Sequence, residues 1–355
     1  MIGQGGNRLV ATAPWLLAAA LCAPSCLAAG TPPAPLFEDQ KPLEMTLELP
    51  LKTLLRERKK RPEVDGVAVV PGPAGALTRL DVKVSTRGHN RLETCSFPPL
   101  GLNFRRSQLD GTVFAGQDKL KLATMCRGGG DYDQYLELER LVYLLYQQVG
   151  DVSLQVRPMR MRYVDTDRNG EVTEAPAFFL EHFDSLAART GRVVLDVPTV
   201  PLDDLDPATL ALIGLFEYLV GNTDWAATSA AAGRDCCHNI VPLVPASGAG
   251  PVVPFPYDFD SSGFVDAPYA EPSEVLNTRS VRERVYRGYC VSNPHLQEIR
   301  AKLNAARPAM ESIIQAGQLT PRTQRKALDY LAEGFEDIND PKNWQRRILG
   351  RCRVG

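Results

Sequence analysis

"NTDWAATSAAAGRDCCHNIVPLVPASGAGPVVPFPYDFDSSG", residues 222–263, decides how this chain is read. It divides into a polar loop, a strand-like run (HNIVPLV), a turn (PASGAGP), a second run (VVPFPY) and an acidic loop (DFD). Apolar runs parted by Gly, Pro and Ser predict a hairpin. Asp224 and Asn239 lie before it and Asp258 and Asp260 after it, so folding the hairpin brings the acidic loop beside Asn239. Such a grouping suits phosphoryl transfer. One carboxylate orients an attacking hydroxyl, while an amide and a second carboxylate hold a metal that offsets the phosphate charge.

The segment just upstream, "DLDPATLALIGLFEYLVGN", predicts a helix. Asp206 suits the N-cap, Pro207 the first helical position, and Gly221 the end. Residues 208–220 are apolar nearly all round, as in a buried helix. Further helices are expected to begin near Pro294 and Pro321, with Pro308 breaking or kinking the first.

The first half reads as sheet. "LEMTLELPL" (43–51) and "RLDVKVSTRG" (79–88) alternate, and "LGLNF" (100–104) and "DKLKLATMC" (118–126) are further strands. Between the first two lie a charged run, "RERKKRPE" (56–63), read as solvated surface, and a turn, "PGPAG" (71–75). In "DYDQYLELERLVYLLYQQVG" (131–150), Tyr135, Leu138, Val142, Leu145 and Val149 recur at helical spacing. "VSLQVRPMRMRYVDT", "DRNG" and "EVTEAPAFFLEHF" read as strand, turn, strand. Asp165, Asp167, Asn169 and Gly170 match the first half of a calcium loop. Pro176 stands where the bidentate Glu belongs, and Asn-Gly is a hairpin signal, so the expectation is a β-turn.

The bulk composition is that of a globular protein. The chain has 355 residues, with 44% hydrophobic and 23% charged, and a net charge of −2. That balance argues against a general nucleic-acid binder. Arg8 followed by "LVATAPWLLAAALCAPSCLAAG" predicts a secretory signal peptide at 1–29 rather than a membrane span. Lipid anchoring at Cys22 or Cys26 is disfavoured by Leu21 and Pro24. A Pro-rich, acidic linker follows at 30–42. With no second long apolar run, no transmembrane segment is expected in the mature chain, which should be exported, periplasmic or extracellular. Eight cysteines less two in the leader leave six. An oxidising compartment permits disulfides of unassigned connectivity. Adjacent Cys236 and Cys237 are expected to bond elsewhere rather than to each other. A zinc site at 236–238 is disfavoured, because no second ligand pair stands at finger spacing.

From about Val84 to Gly263 the chain resembles the CotH kinase family, the spore-coat-protein-H-like atypical kinases, and more distantly HipA-type kinases. The likeness is carried by "STRGHNR" (85–91), "LKLATMC", "LELERLVYLLY", "YVDTDRNGEV…FFLEHF" ending near Glu181, "NTDW…HN" and "PYDFD". It implies an α+β, two-lobed protein-kinase-like fold, with a β-rich N-lobe at 43–200 and a mostly helical C-lobe at 201–355. It also implies site roles. Asp224 would be the catalytic carboxylate, and Asn239, Asp258 and Asp260 would hold or support Mg²⁺ or Mn²⁺. Lys121 would contact the phosphates of ATP or another nucleotide and be held by an ion pair to Glu139, with Lys119 and Glu137 as competitors. The implied activity is phosphate transfer to a protein, lipid or glycan hydroxyl. Two departures leave room for an inactive, kinase-like binding module. Asn239 lies fifteen positions after Asp224, against about five in kinases, which makes Asp235 a rival carboxylate. The lysines expected after the Arg-Gly segment are replaced by "CSFPPLGLNF". A calcium-binding surface protein ranks last.

Overall fold

The computed structural model describes residues 1–3, 34–72, 75–230 and 236–354. Residues 4–29 of the expected leader, 30–33 of the linker, part of the "PGPAG" turn and Asp235 lie outside them. The chain separates into Met1–Gly30 and a compact unit, Thr31–Gly355, to which everything below belongs.

Seven strands close a barrel: β1 (Leu43–Leu49), β2 (Glu63–Pro71), β3 (Leu77–Thr86), β4 (Leu100–Phe104), β5 (Lys119–Thr124), β6 (Val156–Asp165) and β7 (Glu171–Leu180). Their order is β1-β2-β3-β4-β5-β7-β6. The pairings are antiparallel until the closing one. There β1 runs parallel to β6, from Leu43 opposite Met159 to Leu49 opposite Asp165. Period-two alternation fills the interior. Met45, Leu47, Val82, Val84, Leu102, Leu120, Leu122 and Phe179 share one apolar core, while Glu44 and Lys83 face solvent. Strand β2 occupies part of the stretch read as a charged surface run. Its Glu63 lies on the outer face, paired with Lys83 at 3.0 Å. Gly66 lets β2 press close to β1, since a Cβ there would meet the Glu48 carbonyl oxygen at 2.9 Å.

The helices are α1 (Leu51–Arg56), α2 (Asn90–Thr94), α3 (Tyr132–Gln147), α4 (Phe183–Arg189), α5 (Pro207–Val220), α6 (Leu296–Ala316) and α7 (Pro321–Asn339). A second sheet, in the order β10-β9-β8, joins β8 (Arg192–Val194), β9 (Ile240–Pro245) and β10 (Val253–Pro256). Its β9–β10 pair is the hairpin expected from the opening stretch, with Pro256 opposite Ile240. Helix α5 begins and ends where its sequence signals stand. Asp206 accepts from the Thr209 amide, and Gly221, at φ 66°, closes it. Helix α6 runs unbroken through Pro308, so the proline does not break it. Leu303 before the proline and Met310 and Ile314 after it are all buried in one core. Their burial outweighs the one hydrogen bond that proline removes.

The α+β, two-lobed kinase-like fold is overturned. The strands form a closed mixed barrel, with a small separate sheet and the long helices toward the C-terminus. Alternation identifies strands but not their partners, and the parallel β1–β6 pairing that shuts the barrel leaves no mark on sequence period. The cysteine expectation also fails in one respect. Cys95 bonds Cys126, Cys290 bonds Cys352, and Cys236 bonds Cys237. The fold brings the first two pairs to Cα separations of 4.6 and 4.9 Å, which leaves the adjacent pair only each other. The would-be calcium loop is a turn between β6 and β7, and its carboxylates serve α1. Asp165 accepts from the Lys52 amide at 3.2 Å and Asp167 from the Thr53 amide at 2.9 Å, meeting free donors at a helix start. No helix among the described residues is long and apolar enough to cross a membrane.

Candidate functional site

The base of the β9–β10 hairpin sets two side chains beside each other. Asn239 precedes β9, Asp258 follows β10, and the Tyr257 amide donates to the Asn239 carbonyl at 3.0 Å. Both residues adopt left-handed backbone, at φ 52° and 64°. Asn and Asp tolerate that region better than most residues, but it still costs on the order of 1 kcal/mol, and such strain gathers at functional sites. The Asp258 amide is anchored from α3, donating to the Tyr143 hydroxyl at 3.0 Å.

Asp224 reaches the same place from the end of α5. Its amide donates to Asn222 Oδ1 at 3.0 Å. Asn239 Nδ2 donates to the Asp224 carbonyl at 2.7 Å and to its Oδ2 at 3.1 Å, and His238 Nε2 lies 2.6 Å from Oδ1. The long excursion between them returns on itself, because Ala226 and His238 exchange backbone hydrogen bonds at 2.9 and 3.2 Å. Fifteen positions in sequence thus become direct contact. Burial pushes the Asp224 carboxyl up, but the His238 and Asn239 contacts outweigh it and hold the group below its ordinary range.

The expected Lys121–Glu139 ion pair does not form. Glu139, on α3, is held by Arg91 Nη2 at 2.6 Å, and Arg91 Nε also meets Asp260 Oδ2 at 2.5 Å. Asp260 is therefore engaged by a guanidinium through Oδ2, which supports the loop that carries Asp258. The planar guanidinium holds both carboxylates at once in fixed directions, one from Nη2 and one from Nε. The Lys121 ammonium instead packs 2.9 Å from the centroid of Phe183. Burial, and next the Arg87 charge, hold it well below the ordinary lysine range. Of the competitors, Glu137 pairs with Arg140 at 2.7 Å and Lys119 is exposed. Glu181 pairs with Arg189 at 2.8 Å.

All six expected site residues, Lys121, Glu139, Asp224, Asn239, Asp258 and Asp260, line one cleft of about 660 Å³. A slightly larger hollow, about 710 Å³, lies along the barrel and includes none of them. The cleft also presents Arg61, Arg87 and His238. Among the described residues the Arg87 guanidinium has no hydrogen-bond or ion-pair partner, and the Asp258 carboxylate accepts no hydrogen bond. Burial first, and Asp260 next, raise Asp258 to about 6. Burial raises Glu139 to about 8 against the pull of Arg91. Three carboxylates crowd this end of the cleft, and a cation would relieve them.

No group of three or more His, Cys, Asp or Glu converges as a metal cage among the described residues. The donor set still fits magnesium, which takes one or two carboxylates and draws its remaining ligands from phosphate oxygens and water. Asp258, with the Asn239 amide oxygen, would hold such an ion. Arg87 belongs to the Arg-Gly segment and His238 to the "HN" pair, but sequence alone assigns neither of them a role at the site, and neither Arg91 nor Tyr143 stands out. Their roles come from what the fold sets around them. No protein-family model matches the chain, and no curated protein matches it.

Proposed function

We propose that the cleft is a metal-dependent phosphotransfer site, moving a phosphoryl group from a nucleotide to a hydroxyl of a protein, lipid or glycan outside the cytoplasm. The observation that carries this reading is a carboxylate, Asp258, and a guanidinium, Arg87, that share one cleft and have no direct hydrogen-bond or ion-pair partner among the described residues. Half-buried charges that influence each other only at a distance are incompletely satisfied, and a metal–polyphosphate bound between them would give each a closer counter-charge. The metal, when bound, offsets the phosphate charge. Asp258 and Asn239 hold it, Arg87 and Arg61 take phosphate oxygens, and Asp224 orients the acceptor hydroxyl. A carboxylate kept ionised, as Asp224 is, suits orientation better than strong proton abstraction, and a loose transfer asks for little more. The likeness to the CotH kinases belongs to this proposal as a likeness of site residues.

A second reading, a binding module without catalysis, is favoured by Lys121, whose ammonium packs on the Phe183 ring and is held well below the ordinary lysine range rather than being paired for phosphate contact. One experiment separates the two. Thermal melting with a non-hydrolysable ATP analogue, with and without Mg²⁺ or Mn²⁺, should show a rise that needs both components, because a ligand that binds only the folded state stabilises it. Transfer of labelled γ-phosphate to water or protein hydroxyls should follow. A nucleotide shift independent of metal and without transfer selects the binding module, and no shift with any nucleotide overturns the phosphotransfer reading.

A further inference from the structure

Beneath the cleft lies a buried carboxyl group the reaction does not use. Glu217 sits on α5, 1% exposed, amid the apolar run Leu212–Val220. Neither of its carboxylate oxygens meets a hydrogen-bond donor in good geometry. Close by, Asn222 Nδ2 and Arg287 Nε are likewise buried and unmatched. Isolated orphans of this kind are rare in folded proteins, and orphans of opposite character gathered in one place are what an ordered water or a small adjustment satisfies.

The connection to the cleft runs through Asn222. The helix ends in a paired closure, with Gly221 N–H bonded to the Tyr218 carbonyl at 3.2 Å and Asn222 N–H to the Glu217 carbonyl at 2.8 Å. This places the Asn222 side chain over the last turn. Its Oδ1 accepts from the Asp224 amide at 3.0 Å, so its Nδ2 is left for the interior. Arg287 completes the enclosure by donating from Nη1 to the Thr223 carbonyl. The backbone on either side of Thr223 is thus gripped from below.

Resting on the reading of Asp224 as the hydroxyl-orienting carboxylate, we infer that Glu217 is its positioning residue. Glu217 engages Asn222 Nδ2, directly or through one buried water, and so fixes the orientation in which Asn222 Oδ1 holds the Asp224 backbone. Glu217 does not touch the substrate. The charged and titratable groups facing it are Asp224 from the loop, Arg287 from the segment before Tyr289, and Tyr146 from α3. Burial is the largest influence and pushes the Glu217 carboxyl well above its ordinary range. The Asp224 charge adds to this, while Asn222 and Arg287 oppose it. A carboxyl raised in the folded state contributes its full stability below the unfolded value and loses it as pH rises. Glutamine should therefore replace it well at neutral pH, and alanine should not.

The test is amide hydrogen exchange on the ligand-free protein, without nucleotide or metal, so its outcome is independent of whether the cleft transfers phosphate. In Glu217→Ala and in Asn222→Ala the Asp224 amide should exchange about tenfold faster or more, while amides inside α5 keep their protection. Glu217→Gln should restore the Asp224 amide. In a second arm, the melting temperature of Glu217→Gln should gain on the wild type as pH rises from about 5 to about 9. This arm carries the test if Glu217→Ala does not fold. An unchanged Asp224 amide in Glu217→Ala, equal acceleration throughout α5, a glutamine variant as labile as alanine, or a melting difference flat with pH would each overturn the assignment.

Discussion

Inside the barrel, Leu47, Val84, Leu100, Leu122 and Phe179 are fully buried and meet one another. A few ångströms along the same strands the cleft is built on the opposite principle. Lys121 stands one position before Leu122 on β5 yet faces an aromatic ring and a guanidinium. Arg87 follows directly on β3 and, among the described residues, meets the Asp258 charge without an ion pair or hydrogen bond to it, while Asp258 is held on strained backbone and its carboxylate accepts no hydrogen bond there. The barrel is complete by itself, whereas the cleft is electrostatically incomplete. On the proposed reading, ligand binding should depend on the cleft alone, whereas stability should draw on the barrel and on the buried Arg91 ion pairs beside the cleft.

The largest effect is expected at the cleft. Asp258→Ala should lower metal-dependent phosphate transfer about 1000-fold, to judge from the loss of a main electrostatic group, and remove the metal-dependent part of the nucleotide melting shift. Melting without ligand should stay near the wild-type value or rise, because a strained, desolvated carboxylate is gone. An unchanged metal-dependent shift would break the assignment. Next is Arg91→Met, which strands Glu139 and Asp260. Denaturant unfolding should show a loss of about 3–5 kcal/mol, and the nucleotide shift should fall with it. Phe179→Ala, in the barrel, should cost a similar or slightly smaller amount, about 3–4 kcal/mol. Below its lowered melting point it should leave nucleotide affinity unchanged, so affinity measured by calorimetry on these two variants is the sharpest test of the separation.

A smaller effect concerns pH. Asp258 and Glu139 titrate near 6 and 8 in the folded chain, above their unfolded values. Each therefore contributes stability at low pH that is lost as pH rises through its folded value. Metal needs the deprotonated form of Asp258. The ligand-free protein should lose melting temperature between about pH 5 and 8, while the metal-induced rise should grow over the same interval. A metal-induced rise that shrinks with pH would contradict this. Smallest is Asp165→Ala at the α1 cap, expected to cost about 1 kcal/mol with no change at the cleft. Calcium should add nothing to wild-type melting, since both turn carboxylates already accept backbone amides.

The site was legible in sequence to an unequal degree. Asp224, Asn239 and Asp258 could be read together because a helix stop and a hairpin are local features, and a hairpin necessarily joins its own ends. Lys121 and Glu139 were placed by order along the chain. The fold brings both to the cleft yet gives Glu139 to Arg91, a residue 48 positions away. Arg91 has no sequence signature, since an arginine after a polar turn is ordinarily solvated and only burial beside two carboxylates makes it central.

Local chemistry therefore settled the strands β1 and β3 to β7, the long helices, the cap and stop of α5, and the hairpin that carries two of the site residues. These depend on side-chain period, capping groups and turn residues within a few positions of each other. Tertiary structure alone decided that β1 meets β6 to shut a barrel, that Cys236 bonds its neighbour, that α6 survives Pro308, and that Arg91 ties Glu139 to Asp260. Each of those outcomes is a choice among distant partners, determined by how much apolar surface and how many charges the whole fold can satisfy at once, and no short stretch of sequence contains that sum.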